Sequence, residues 1–264
     1  MYSQEHIKYL KKLKRYNLTI KLFQILLIII FLIIWQILAN LKIIDTFIFS
    51  SPKLVLNTII KLYQSNNLIP HIWITIYETI LSFSIATILG IIIASILWWN
   101  KTIAKIIDPY LTILNSLPKV ALGPIIIIWF GSGIKSIIFM ALLISLIITI
   151  INIYNGFINI DNSKKKLMKS FKATKKQIYY KLILPGSITN ILNTLKINIS
   201  MSLIGIIMGE FLVSKKGIGY LIVYGSQVFN LNLVISGIII LCLISAIMYY
   251  LINILEKKIN KNNK

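Results

Sequence analysis

Six apolar runs, each long enough to cross a lipid bilayer, cover most of this 264-residue chain and constrain its fold more than any other feature. A membrane-spanning helix needs roughly 20 mainly apolar residues. Only 13% of the residues are charged, whereas soluble domains average about 25%. The runs cover residues 22–41, 70–99, 103–130, 134–157, 188–213 and 233–255. The sequence therefore predicts an all-α integral membrane protein with six transmembrane helices.

Basic residues lie mainly on one side of this six-helix arrangement. Of the 28 Lys and Arg, 20 lie in the two terminal tails and in the connections between helices two and three and between helices four and five. Cytoplasmic connections of membrane proteins carry this excess, so we expect both termini in the cytoplasm, at a bacterial-type plasma (inner) membrane. The net charge of +21 predicts contact with membrane lipids and no nucleic-acid partner, because no soluble basic and aromatic module accompanies it.

Sequence motifs for catalysis and metal binding are absent. No glycine opens a G-x-x-x-x-G-K-[ST] phosphate-binding loop, and neither G-x-S-x-G nor H-E-x-x-H occurs. His6, His71 and the single Cys242 are widely separated, which argues against a metal site. We therefore predict that the chain is not an enzyme and has no catalytic residue, no metal and no cofactor of its own.

The third apolar run is interrupted at Leu117-Pro118-Lys119 and again at Gly123-Pro124. Proline removes a backbone donor and disfavours helix at the preceding residue. In lipid such a break is tolerated where it is packed in protein or lines a wet cavity. Pro118 and Lys119 are therefore candidates for a translocation path, with a structural kink and a snorkelling lysine as the alternative.

The fifth run contains Gly205 and Gly209 in a G-x-x-x-G spacing, followed by Glu210. Two glycines one turn apart let a neighbouring helix approach closely, so we predict a helix-packing role for them. Glu210 is predicted to face a water-filled vestibule or the headgroups and is a path candidate, because carboxylates inside a membrane are usually functional. Lys196 is a further path candidate, or else it faces the cytoplasmic half.

Two short helices are expected outside the apolar runs. Residues 53–63 have apolar side chains at helical spacing after Ser51-Pro52, which predicts an amphipathic helix on the outer membrane surface. An ordered loop is the alternative there. Residues 215–220, with two glycines, predict a turn and a short helix leading toward the sixth run.

The connection 159–185 holds eight lysines and is the polar segment in an otherwise apolar region. Leu167, Met168 and Phe171 lie on one face of a predicted short helix. A turn, a second short helix and Leu184-Pro185 follow before the fifth apolar run. The segment is predicted to dock a partner, with a solvated basic loop that binds lipid as the alternative.

This connection resembles the one found in permease subunits of ATP-binding-cassette (ABC) importers, the binding-protein-dependent inner-membrane components. That family has Glu-Ala-Ala, three residues, Gly, and later a Leu-Pro pair. Here the frame falls on Lys166, Leu167 and Met168, with Lys172 at the glycine position and Leu184-Pro185 closing it. The spacing agrees well, whereas Lys166 and Lys172 depart from the family pattern.

Other segments in the order of that family place the resemblance in its nitrate, sulfonate and taurine group, which includes transporters of thiamine-precursor pyrimidines. The resemblance covers roughly residues 48–255. The segments are Phe49-Ser50-Ser51-Pro52, Asp108-Pro109, Trp129-Phe130-Gly131, Gly209-Glu210-Phe211 and Gly217-Ile218-Gly219-Tyr220-Leu221.

The resemblance implies a type I ABC importer permease fold with a cytoplasmic coupling helix between helices 4 and 5. Two such permeases, identical or homologous, would form the path, with two ATPase subunits that bind ATP and an extracytoplasmic substrate-binding protein. Pro185 would fix the angle of the coupling segment, and Lys119 or Lys196 would offset the charge of an anionic solute. The implied ATPase-coupling residues are Lys166, Leu167, Met168, Phe171, Lys172, Ala173, Thr174, Leu184 and Pro185.

The implied organisation has four parts, and two other functions stay open. Residues 1–21 and 256–264 are basic cytoplasmic tails, 22–69 hold the first transmembrane helix and the outer surface helix, and 70–255 form the permease core with its coupling loop at 159–185. The alternatives are a six-span secondary transporter or membrane assembly protein without an ATPase, and a decayed permease that no longer couples. The altered coupling loop favours the last of these, whereas the lack of a matching break in the sixth run disfavours a secondary transporter.

Overall fold

The computed structural model describes residues 4–262, and every regular element in that part of the chain is helical. The helices are α1 (Gln4–Asn40), α2 (Thr46–Phe49), α3 (Pro52–Gln64), α4 (Leu68–Trp99), α5 (Lys101–Ser116), α6 (Gly123–Phe130), α7 (Ile134–Ile158), α8 (Asn162–Ser170), α9 (Lys175–Ile178), α10 (Leu184–Gly186), α11 (Ile188–Val213), α12 (Ile218–Gln227) and α13 (Leu231–Asn262).

Five helices of the described chain are long and apolar enough to cross a membrane: α1 in its part Leu18–Asn40, then α4, α7, α11 and α13, the last in its part Leu231–Ile259. The third predicted span, residues 103–130, is instead a pair of shorter helices, α5 and α6, which meet at an angle of 87°. Leu117 is extended before Pro118, with ψ of 139°, as the residue before a proline prefers. A short 3₁₀ turn, Lys119–Leu122, then leads into α6.

The second predicted break, at Gly123-Pro124, is not a bend. The 3₁₀ turn runs directly into α6, and Pro124 lies in the first turn of that helix. A proline in this position removes no helical hydrogen bond, because first-turn donors have no partner within the helix. The change of direction is therefore concentrated at Leu117-Pro118.

Helix α7 lies at the centre of the fold, between α4 and α11. In the most apolar stretch of α7, 50% of the residues are buried, whereas in that of α1 only 6% are buried. Gly205 and Gly209 of α11 lie against the backbone of Ala141 and Ile137 in α7, and a Cβ at Gly209 would be 2.8 Å from the Ile137 Cα. The two helices therefore approach as closely as small residues allow.

Helix α1 lies at the margin of this core. Its apolar side chains from residue 22 to residue 34 are exposed, as lipid-facing side chains would be. Gln36 links it to α3, because its Oε1 accepts from the Lys53 N–H at 3.0 Å. The predicted surface segment is a helix rather than a loop: Ser51 caps α3 by accepting from the Leu54 N–H at 3.3 Å.

Candidate functional site

The connection between α7 and α11 folds into the predicted helix, turn and second helix. Asp161 starts α8 by accepting from the Ser163 N–H at 2.8 Å. The helix ends in a Schellman motif, in which Lys172 N–H donates to Lys169 O at 2.8 Å and Ala173 N–H donates to Met168 O at 3.0 Å. Lys172 has a φ of +53°. The turn therefore keeps the left-handed form for which the family uses glycine, although a lysine occupies it.

The apolar side chains of α8 are divided between two faces, whereas the sequence predicted one. Met168 packs inward with Ala173 against a cluster that includes Phe157, Ile178 and Tyr179. Leu167 and Phe171 point outward and are 58% and 75% exposed. The inward residues fix the segment to the end of α7. The outward pair leaves an apolar surface available to another protein.

Helix α9 and the turns after it continue toward α11. Thr174 forms a capping box with Gln177, accepting from its N–H at 3.3 Å while the Gln177 Oε1 accepts from the Thr174 N–H at 2.8 Å. Residues Tyr179–Ile183 form a π-helical turn ahead of α10. Leu184 packs against the inward cluster, whereas Pro185 is exposed in the first turn of α10.

Tyr179 attaches this segment to the membrane core. Its hydroxyl lies 2.6 Å from the Ser95 Oγ of α4, and its ring packs against Trp98 and Trp99 at the end of that helix. The Tyr179 side chain is 5% exposed. Tyr179 therefore links the α8–α9 segment to the end of α4.

The charged path candidates have partners inside this chain. Lys119 Nζ donates to the Asn115 carbonyl at 2.9 Å, which satisfies a carbonyl at the end of α5 beside the exposed Pro118. Lys196 Nζ pairs with the Glu256 carboxylate at 2.5 Å, with both side chains less than one-fifth exposed. Neither contact requires a transported solute. A role for either lysine or for Pro118 in the path remains a prediction.

Glu210 does not face a vestibule or the headgroups in this protomer, because its side chain is 1% exposed. Its Oε1 accepts from the Thr75 hydroxyl at 2.6 Å, and its Oε2 accepts from the Gly219 N–H at 2.5 Å. Gly219 lies in the first turn of α12. The carboxylate therefore satisfies donors at a helix N-terminus, where negative charge is favoured.

Two α4 residues that the sequence analysis did not select complete this junction. Thr75 Oγ1 accepts from the Ile218 N–H, and His71 Nδ1 accepts from the Gly217 N–H, both at 2.9 Å. His71 and Thr75 are four residues apart and therefore share one face of α4. Their spacing indicated a polar helix face, but nothing in the sequence indicated that α12 would meet it.

The same face of α4 continues to Glu78 and Ser82, which are 1% and 0% exposed. Glu78 Oε2 and Ser82 Oγ have no hydrogen-bond partner among the described residues. Buried polar atoms normally have partners. Among the described residues, Glu78 and Ser82 thus hold buried polar atoms of α4 that lack a hydrogen-bond partner.

Taken together, the bundle of apolar helices and the lysine-rich helix pair α8–α9 define the architecture of a multi-pass membrane transport protein. The sequence matches the family described as "Binding-protein-dependent transport system inner membrane component" over residues 86–261. The chain belongs to this family and is a permease subunit of an ABC importer.

Several relatives that are named as transport permeases agree with that assignment. The aliphatic sulfonates transport permease protein SsuC of Bacillus subtilis is 28% identical over 237 residues, which are 90% of this chain and 86% of that protein. The formylaminopyrimidine transport permease protein ThiX of Halalkalibacterium halodurans is 27% identical over 195 residues, 74% of this chain and 77% of that protein. The taurine transport system permease protein TauC of Escherichia coli is 21% identical over 235 residues, 87% and 86% of the two chains.

A solved structure has the same fold. A chain of the MetNI methionine ABC transporter, in an inward-facing conformation, superposes with a TM-score of 0.65 at 17% identity, covering 72% of this chain and 95% of that one. At this level of identity the likeness concerns the fold. It confirms the predicted type I importer permease architecture, with the α8–α9 segment between the fourth and fifth spans.

Proposed function

We propose that this permease transmits the movement of a separate ATPase subunit through α8 and carries a small solute along a path formed with a second permease copy or homologue. The observation that carries the proposal is the division of α8 into two faces. The inward face is anchored in the apolar cluster, and the outward face presents Leu167 and Phe171. An anchored helix with exposed apolar side chains is suited to seat in a groove of another protein.

The solute class follows from the relatives rather than from a site in this chain. Relatives are named as permease proteins for the transport of aliphatic sulfonates, taurine and formylaminopyrimidine. We therefore propose a small sulfonate-type anion or a pyrimidine that is a thiamine precursor, delivered by an extracytoplasmic binding protein. In this arrangement two ATPase subunits bind and hydrolyse ATP, and the permease itself binds no cofactor.

The intact left-handed turn at Lys172 supports a working coupling segment over a decayed one. A segment released from selection for docking would not be expected to keep both its inward anchor and a strained turn, since a non-glycine residue in this conformation costs roughly 1–2 kcal/mol. Here both are present.

Co-purification with a co-expressed partner ATPase subunit tests the docking role. Phe171→Ala should remove most of the retained ATPase, because the exposed ring is the larger of the two outward anchors. Phe229→Ala is a matched control: Phe229 is 74% exposed and also lies in a left-handed turn, but between α12 and α13. Equal retention of the ATPase by wild type and Phe171→Ala, or equal loss in both variants, would contradict the docking role.

The proposed orientation, with both termini and α8 in the cytoplasm, has a separate test. In a Cys242→Ser background, Lys166→Cys and Lys53→Cys each place one thiol in an exposed position. A membrane-impermeant maleimide should label Lys53→Cys in intact cells and Lys166→Cys after the cells are opened. Labelling of Lys166→Cys in intact cells would reverse the topology.

A further inference from the structure

A cavity of about 770 Å³ lies between α8 and the ends of the membrane core. Its walls come from the end of α4, the first turns of α5, the end of α7 and the α8–α9 segment. Six of its lining residues are lysines: Lys101, Lys105, Lys165, Lys166, Lys169 and Lys175. Trp98 and Tyr154 add aromatic surface beside them.

Positive charge outnumbers negative charge around this cavity. The ion pair that the described residues form, Lys196 with Glu256, includes none of the six lysines. Two carboxylates lie near the cavity: Asp161, which accepts at the N-terminus of α8, and Asp108, which is close to Tyr154. Burial and the neighbouring Lys101 lower the pKa of the Lys165 ammonium, and Asp161 opposes this only in part. The lysines therefore crowd together with a deficit of negative charge.

Two of the lysines are already held in place by carbonyl groups. Lys165 Nζ donates to the Ile158 carbonyl at 2.8 Å at the end of α7. Lys175 Nζ donates to the Trp99 carbonyl and lies 5.8 Å and 5.5 Å from the ring centroids of Trp98 and Trp99. Each ammonium keeps further N–H donors, since a lysine has three. The cations are thus positioned before any ligand arrives.

The residues beside the cavity are of the type found at the membrane–water interface. Trp98 and Trp99 end the span α4, and tryptophans concentrate at the membrane–water interface. Helix α5 starts next to the cavity and exposes Ile103, Ile106 and Tyr110. An anion bound by the lysines would therefore have an apolar surface beside it on which acyl chains can lie.

The ligand would not occupy the outward face of α8. Lys165, Lys166 and Lys169 line the cavity, whereas Leu167 and Phe171 are the exposed apolar residues of the same segment. A molecule in the cavity would sit between α8 and the membrane core. It would contact the face of α8 that is directed toward the core and would leave the outward face, with Leu167 and Phe171, free for a partner.

We propose that this cavity binds the phosphate headgroup of one anionic phospholipid and thereby holds α8 against the membrane core. The recognised chemistry is a phosphate group surrounded by ammonium groups, and basic pockets between transmembrane helices on the cytoplasmic side suit such headgroups. The adjacent apolar surface of α5 favours a lipid over free phosphate or a nucleotide. The inference concerns the permease chain alone and does not depend on an ATPase docking to α8.

Native mass spectrometry of the purified full-length permease, titrated with phosphatidylglycerol or phosphatidylcholine, tests this proposal. We expect wild type to retain one phosphatidylglycerol in preference to phosphatidylcholine. The triple variant Lys101→Gln, Lys105→Gln and Lys165→Gln should bind phosphatidylglycerol at least about tenfold more weakly, since each lysine near a membrane surface contributes about 1 kcal/mol. Unchanged affinity in this variant would refute the site.

A matched triple variant controls for general loss of charge. Lys164→Gln, Lys176→Gln and Lys181→Gln remove the same charge from exposed positions in the same connection that do not line the cavity. Their phosphatidylglycerol affinity should equal that of wild type, and an equal loss in both triples would show unspecific attraction. If the first triple does not fold, Lys105→Gln alone provides the comparison, with a loss of about fivefold expected.

Competition distinguishes the sources of phosphate. Inorganic phosphate and ATP are added in millimolar excess to permease loaded with phosphatidylglycerol. We expect the lipid to remain bound, because its acyl chains contact protein as well. Complete displacement by inorganic phosphate or by ATP would assign the cavity to a free anion and overturn the lipid proposal.

Discussion

Helix α11 is joined to a short helix at each of its ends, and the two junctions are built in opposite ways. At the α12 end the contacts are polar and buried, with the Glu210 carboxylate accepting from Thr75 and Gly219. At the α8–α9 end the buried contacts are mainly apolar, through Tyr179 and Ile183, and hydrogen bonds such as that between the Tyr179 and Ser95 hydroxyls add to them. The first junction is held by a few buried hydrogen bonds. The second is held mainly by apolar packing, and most of its lysines lie on the surface.

This difference separates stability from coupling. When one partner of a buried hydrogen bond is removed, the other partner stays buried without water or a hydrogen bond. The protein then loses stability by the full desolvation free energy of that group. Exposed lysines carry no such cost. We therefore expect substitutions at the α12 junction to act on folding, and substitutions on the outward face of α8 to act on partner binding.

The largest effect should come from Glu210→Ala, because it leaves the Gly219 N–H and the Thr75 hydroxyl without their acceptor in a buried site. We expect a loss of roughly 3 kcal/mol in the free energy of unfolding. Denaturant unfolding of the detergent-solubilised protein measures it. Asp45→Ala, which removes an exposed carboxylate that accepts from the Phe47 N–H, is the comparison and should cost about 1 kcal/mol. Similar losses in the two variants would show that the buried hydrogen bonds of Glu210 contribute no special stability to the α12 junction.

A smaller loss is expected for Gly217→Ala. Gly217 has a φ of +107°, and a Cβ there would overlap the Glu210 carboxylate. Gly131→Ala is the matched control, because Gly131 also has a positive φ, +76°, but has no atom within 4 Å of the Cβ position. Backbone strain alone should cost Gly131→Ala roughly 1–2 kcal/mol.

Gly217→Ala should lose more than this control by denaturant unfolding, since it adds overlap to the same strain. If the two alanine variants are equally stable, the close approach of Glu210 to the turn is not a constraint on position 217.

The smallest effect, and one of opposite sign, is expected at the other junction. Lys172→Gly should raise the free energy of unfolding by about 1 kcal/mol, because glycine adopts the left-handed conformation without a Cβ penalty. Lys169→Gly, inside α8, should lower it by about 1 kcal/mol through lost helix propensity. ATPase co-purification should be unchanged in Lys172→Gly. Destabilisation by Lys172→Gly would mean that the lysine side chain itself holds the turn.

The features that the sequence predicted are those set by local chemistry. In lipid, only helices and closed barrels pair all backbone N–H and C=O groups with each other. Continuous apolar runs of about 20 residues therefore predict membrane helices. The polar connection with its apolar spacing predicted α8, and Ser51-Pro52 predicted the start of α3. The proline at 118 predicted the bend of the third span. Each of these follows from residues that are neighbours along the chain.

The positions of charged side chains could not be predicted in the same way. Glu210 was expected to meet water, but it accepts hydrogen bonds from α12 and from Thr75, 135 residues away in the chain. Lys196 was expected to face a path or the cytoplasmic half, and it meets Glu256, 60 residues away. Met168 was expected to share a face with Leu167 and Phe171. In the structure it packs instead against the apolar cluster at the end of α7.

Chain-local rules thus account for the long apolar helices and for the position of α8 between the fourth and fifth predicted spans. The assignment of each buried charge to a partner required the fold, because a carboxylate or ammonium in an apolar interior is stable only beside a group of suitable charge or hydrogen-bonding capacity. The identity of that neighbour depends on which helices pack together. In this permease, packing of α4 and α11 around α7 brings Glu210 to Thr75 and to the first turn of α12.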